Sequence, residues 1–304
     1  DIILNKNETI YIYVGKGGIQ NSSANSITNN GTISYINYNN INIIASGGGA
    51  GGYGAEIGLN GGSGGGGASG STSLNKEGGY SNQKTHYYIK NNIFRGYGNV
   101  GGIGRGDEQG GWTRAGGGGG GAGKSGNTSG NYINDQNQPA RITHGGDGGE
   151  GKDFSDIFGN NIGDNGWFAG GGGGGIHNNQ NNGTPGKGGK GGGSDGSNPY
   201  NNSNPGINGT GGGGGAGGGG SGIGGNGGDG IILIKYTIYN IEIPITYPIN
   251  INGTGILYNI YESAISDIDI NDVIHYYYNN CIYEILEFKN KTIKNEYYFY
   301  FTED

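Results

Sequence analysis

The chain has 304 residues, 78 of them glycine, and a formal net charge of −7 with its basic residues spread singly. No basic patch is present to meet phosphates, which argues against a nucleic-acid partner, and no apolar run is long enough to insert in a membrane as a spanning helix. A single cysteine, Cys281, excludes an internal disulfide framework.

Thr9–Val14 is β-branched and aromatic and stops at Gly15, so the first strand is predicted over 9–14. Two more are predicted over 32–36 and 41–45, joined by Asn-rich turn material. Beyond them the composition changes. All but six of the glycines lie between Gly47 and Gly230, in blocks such as Gly64–Gly67, Gly116–Gly121, Gly170–Gly175 and Gly211–Gly215. Such a segment has almost no side chains to bury, so it is either a disordered tether or a structure in which backbones pack on one another.

The aromatic residues between the blocks (Tyr87-Tyr88-Ile89, Ile93-Phe94, Trp112, Trp167-Phe168) do not belong in a flexible linker, which would be glycine and serine alone. Glycine runs in the polyproline-II conformation have three residues per turn and carry every N–H and C=O outward. Buried groups of this kind must be paired. A bundle of parallel and antiparallel glycine rods satisfies both conditions, and a polyglycine-II bundle over 47–230 is therefore expected.

Ile231–Tyr236 reads as a closing strand, 231–236. The simplest arrangement returns both ends of the glycine insertion to one sheet. From Thr237 only Gly253 and Gly255 remain, and tyrosine and isoleucine dominate. Strands are predicted over 256–261, 282–288 and 297–301, around the acidic stretch Ser266–Asp272. The expected fold class is all-β: a β-sandwich framework with an inserted polyglycine-II bundle in a domain spanning 1–236, then a small Tyr/Ile-rich β domain spanning 237–304. No window has helical apolar periodicity with helix-forming composition.

The order of these pieces carries a resemblance. Ile10-Tyr11-Ile12-Tyr13-Val14-Gly15-Lys16-Gly17-Gly18 is similar to a strand end in the glycine-rich domains of phage tail-fibre and giant-virus structural proteins. Ile43–Gly49 looks like that family's second strand running into its first glycine block, and Gly227–Tyr236 like its closing strand. The glycine-rich ectodomain of anaplastic-lymphoma-kinase-type receptors is organised similarly. The resemblance covers 1–236. It implies one further strand and glycine run at the start; with the lack of methionine, this leads to the expectation of an excerpt or a cleavage product.

Gly118–Ser125 satisfies the phosphate-loop spacing G-x-x-x-x-G-K-[ST], with Lys124 and Ser125 as its last members, but lacks the strand before and the helix after that the mechanism requires. His86, His144, His177 and His275 have no second ligand at metal spacing. Asp267-x-Asp269-x-Asn271 copies half of a calcium loop, with Asp272 where glycine belongs and Tyr278 where the bidentate carboxylate belongs. No nucleophile–base or paired-carboxylate arrangement appears. The expectation is no catalytic, cofactor or metal site, and no enzyme.

Sequons for N-glycosylation occur at Asn7, Asn21, Asn30, Asn127, Asn182, Asn201, Asn208, Asn252 and Asn290, among 42 asparagines. The tyrosine clusters Tyr276–Tyr278 and Tyr297-Tyr298 suit a core or an interface, or stacking on sugars. These features favour a non-enzymatic extracellular or virion-surface structural protein, a fibre, spike or surface component. Its partners would be copies of itself and host-surface glycans or a receptor. A ligand-binding module of a cell-surface protein and an ice-binding protein are the alternatives.

Overall fold

A computed structural model describes residues 9–20, 30–38, 40–54, 56–69, 75–89, 92–106, 114–133, 141–177, 183–238, 258–259, 276–278 and 281–288. The strands predicted over 9–14, 32–36 and 41–45 are present. β1 (Ile10–Tyr13), β2 (Ser34–Tyr38) and β3 (Ile41–Ala45) form a three-stranded antiparallel sheet in the order β1-β2-β3. Their register pairs Ile12 with Ile36 and Ile36 with Ile43. The β2–β3 turn places Asn40 at φ 61°, a left-handed conformation that asparagine tolerates. Ile12, Val14 and Tyr38 are buried, and the Tyr13 and Tyr35 rings stack at 5.4 Å.

The glycine region that follows is built of extended backbone segments hydrogen-bonded to each other and punctuated by short hairpins. β4 (His86–Ile89) pairs β5 (Asn92–Arg95), β6 (Gly130–Ile133) pairs β7 (Arg141–His144), and β8 (Lys152–Asp153) pairs β9 (Trp167–Phe168). Between β8 and β9 lies the one helix of the described residues, α1 (Ser155–Phe158), a single turn. The aromatic residues between glycine blocks therefore build hairpins and a small apolar knot. Phe154 and Phe168 meet at 6.3 Å, and Lys190 lies over Trp167 at 5.2 Å. Trp112 lies outside the described residues.

The closing strand departs from expectation. β10 (Ile232–Ile238) does not join the sheet of β1–β3. The chain does return to that sheet at Gly230, whose N–H donates to Gly15 O at 2.9 Å. It then leaves to pair antiparallel with β13 (Cys281–Phe288), from Ile232 opposite Phe288 to Ile238 opposite Ile282. Strand length supplies the reason: β1 offers four residues, whereas the eight of β13 satisfy every ladder position of β10. β11 (Tyr258–Asn259) and β12 (Tyr276–Tyr278) also pair with β13. This ladder straddles the domain boundary expected at 236/237, and the strand expected over 297–301 lies outside the described residues.

The fold is all-β, in small antiparallel sheets around a glycine bundle. The described residues contain no helix long and apolar enough to cross a membrane.

Candidate functional site

The segment over 170–176 shows how the bundle is held. Its residues are all buried, yet only Ile176 has a large side chain. The N–H groups of Gly171 and Gly174 donate to Gly149 and Gly146, while those of Gly170, Gly173 and Ile176 donate to Gly191, Ser194 and Ser197. The carbonyls of Gly172 and Gly175 accept from Gly119 and Gly116, those of Gly171 and Gly174 from Gly189 and Gly186, and those of Gly170, Gly173 and Ile176 from Gly213, Ala216 and Gly219. Each neighbour is met at every third residue. That is the signature of a threefold helix, the polyglycine-II conformation. Partner numbers fall along some contacts and rise along others, so antiparallel and parallel neighbours both occur.

Glycine is required because the rods touch backbone to backbone. A Cβ built on Gly118 would collide with the carbonyl oxygen of Asp147, and one on Gly173 with that of Gly186. A minority of positions differ. At Gly48 a Cβ meets nothing within 4 Å, and at Gly51, Gly116, Gly119 and Gly224 its nearest neighbours lie at 3.7, 3.6, 3.4 and 3.5 Å.

All five of those glycines line one cleft of about 1100 Å³, open to solvent. A closed circuit of hydrogen-bonded segments surrounds it: Gly31 donates to Gly48, Gly49 to Ser63, Gly117 to Gly67, Gly119 to Gly172, Gly213 to Gly170, Gly225 to Gly215 and Gly227 to Gly18, with Thr32 donating to Lys16. At one end of the cleft lie Ser34 and Phe168, at the other Tyr53, Ile57, Arg114 and His177. His177 N–H donates to Arg114 O at 2.9 Å. Burial, and secondarily the Arg114 charge, hold the His177 imidazole below its ordinary value.

Polar side chains finish the rods where backbone partners run out. Asn30 accepts from Ala50 N–H through Oδ1 at 2.8 Å and donates through Nδ2 to Asn60 O at 2.7 Å. Asn60, Asn202, Asn208 and Asn226 accept in the same way from the N–H groups of Tyr80, Ile223, Asp229 and Gln20. Asp229 accepts from Gly17 N–H, and Asp164 from Gly191 and Gly192, which take φ of 99° and 88° in a turn only glycine follows readily. Asp195 accepts from Gly188 N–H and from Lys187 Nζ. Burial works against the Asp195 charge, but these donors outweigh it and leave the carboxyl below its usual value. None of these roles is written in a local motif, and sequence reasoning missed them.

The sequence-derived candidates distribute as follows. Gly118–Ser125 is one rod, a turn and the start of the next. Its N–H groups are consumed within the bundle, Gly118 donating to Asn127, Gly119 to Gly172, Gly120 to Gly64, Gly121 to Lys124, Ala122 to Ala169 and Gly123 to Glu150. No phosphate cradle is left, and Lys124 Nζ pairs with Glu150 at 2.7 Å, which lowers the Glu150 carboxyl. His86 and His144 meet Thr85 and Thr184 hydroxyls, and among the described residues no cluster of His, Cys, Asp or Glu is large enough for a metal ion.

Of the sequon asparagines, Asn127 and Asn201 are exposed, Asn208 uses its Oδ1, and Asn30 uses both ends of its amide. Asn7, Asn21, Asn182, Asn252 and Asn290 lie outside the described residues, as do His275 and the acidic stretch 266–272.

Backbone-bonded glycine rods, hairpin punctuation and an entry sheet define an all-β glycine-rich scaffold. A family model described as a glycine-rich domain matches residues 2–237, most of the chain, and the protein belongs to that family. No match was found among curated proteins or among solved structures.

Proposed function

We propose that this chain is a non-enzymatic structural protein of an extracellular or virion surface, a fibre, spike or surface component that assembles with copies of itself. The observation that carries the reading is the backbone mesh itself. In the central rod, both N–H and C=O groups are used to lock neighbouring rods together, which gives a stiff body with little to offer chemistry. A catalytic first contact with substrate needs side chains held in place by packed neighbours, and the rods provide almost none.

The same body displays contact surface at its edges. Tyr88 and Ile93 face each other across the β4–β5 hairpin with 64% and 60% exposure, and Tyr200 is 74% exposed. Exposed aromatic and aliphatic residues of this kind suit packing against another copy, or attachment to host-surface glycans or a receptor. Among the described residues no strand pairs with the outer edge of β1, and open edges recruit further strands.

Sedimentation and electron microscopy of the native protein test the proposal together. Elongated assemblies are expected at micromolar concentration. A compact monomer of 31.1 kDa would contradict self-assembly. The cleft favours a second reading in that case, a ligand-binding module of a cell-surface protein.

A further inference from the structure

We propose that the central cleft is a seat for an extended glycine-rich polypeptide segment, taken up as one more polyglycine-II rod. The walls of the cleft carry backbone donors with no acceptor among the described residues, and these recur at a spacing of three. Gly172 and Gly175 on one wall, Gly214 and Gly217 on the next, and Gly48 and Gly51 opposite are such pairs. Three residues of a polyglycine-II rod advance about 9 Å, and the carbonyls of an added rod recur with the same advance. The donors therefore match, in spacing and in chemistry, the acceptors of the conformation from which the walls themselves are built.

Steric shape selects the same occupant. The cleft is enclosed by glycine rods, and at four of the positions that border it (Gly48, Gly51, Gly116, Gly119) a Cβ meets no backbone clash. A segment seated at rod-to-rod distance must itself lack Cβ atoms where it meets a wall, which demands glycine at least at every third position. An α-helix does not qualify, because its carbonyls are already bonded internally and its diameter is about 10–12 Å. Neither does an ordinary extended peptide, whose side chains would hold its backbone off the donors. The inference concerns a partner distinct from the self-contacts proposed above, and it stands whether the protein is a spacer or a receptor module.

The test uses the whole protein with a lysine-flanked polyglycine peptide as probe, and a lysine-flanked polyalanine peptide of equal length as control. Calorimetric titration should show saturable binding of the polyglycine probe and at least about tenfold weaker binding of the control. In the bound state, amide exchange should slow at Gly172, Gly175, Gly214 and Gly217 while Gly171 and Gly174, already bonded within the bundle, are unchanged. A Cβ at Gly48 meets nothing within 4 Å and one at Gly116 nothing nearer than 3.6 Å, so Gly48→Leu and Gly116→Leu add bulk at the cleft lining and should both keep the wild-type Tm and lose the probe.

Absence of binding, equal binding of the two peptides, binding that survives both variants, or slowed exchange confined to the outer face would each overturn the proposal. Self-association that Gly48→Leu abolishes without any peptide would overturn it too, making a second copy the occupant. Should Gly116→Leu melt early, Gly48→Leu decides alone, since its Cβ meets nothing within 4 Å.

Discussion

Asparagine is abundant throughout the chain, and its use is specific. A primary amide offers one acceptor and two donors in the geometry of a peptide group. Asn30 exploits this by accepting from one rod and donating to another, tying Ala50 to Asn60. Asn30→Ala should therefore lower stability by about 1–2 kcal/mol, two net hydrogen bonds, read as a fall in the midpoint of chemical denaturation with an unchanged slope. The composition discloses the asparagines but not this role. Gln20 and Asn226 are 206 positions apart when the one donates to the other, and no local pattern in the sequence encodes such a pairing.

His177 gives a second residue-scale expectation. Burial, and secondarily the Arg114 charge, lower its folded pKa below the ordinary 6.5. The unfolded chain then binds the extra proton first as pH falls. Stability should be full above about pH 6.5 and decline below it until the folded value is passed. Thermal melts of wild type and His177→Gln across pH 5 to 8 check this: that part of the acid slope is expected to be missing in the variant, and an identical slope would count against it.

At the scale of elements, rods and strands were not equally legible. The β1–β3 strands and β10 follow from β-branched and aromatic runs, and their observed bounds differ from the predicted ones by two residues or fewer. The glycine blocks announced rods because block length and interrupting aromatics together excluded a tether. The hairpins β4–β5 and β6–β7 were not foreseen as strands. Strands of four residues leave too short a window for alternation to register. The destination of β10 was hidden for another reason: which strand it pairs with depends on the length of partners elsewhere in the chain, and nothing inside Ile231–Tyr236 specifies that.

The rods also make the sharpest mutational expectation. Gly118→Val and Gly173→Val drive a side chain into the carbonyls of Asp147 and Gly186 and should cost about 3 kcal/mol each, the upper end of an overpacking penalty. Gly51→Ala, with its nearest neighbour at 3.7 Å, should be close to neutral. Thermal melts of the three variants separate contact-dependent cost from a general intolerance of side chains in glycine blocks; uniform destabilisation would argue for the latter.

For the whole molecule, the feature to explain is that the described residues hold no conventional side-chain core. Few large side chains among them are fully buried, Tyr38, Ile89, Ile162 and Ile176 being such residues, and no such set could alone offset the ordering entropy of so many glycines. Cooperative pairing of backbone groups is left as the main source of cohesion. Stiffness follows from the same source, since a rod cannot bend without breaking bonds to several neighbours at once. The lattice was legible in the sequence as a principle; the cleft within it was not, because the closure of the hydrogen-bonded circuit depends on where each rod lands.

Residue-resolved amide hydrogen exchange of the intact protein tests this account most directly. If backbone pairing holds the bundle together, Gly171, Gly173 and Gly174 will exchange orders of magnitude more slowly than an unstructured chain and will become exchangeable together with the surrounding rods. Exchange of these amides at unprotected rates, while β1–β3 remain protected, would contradict it.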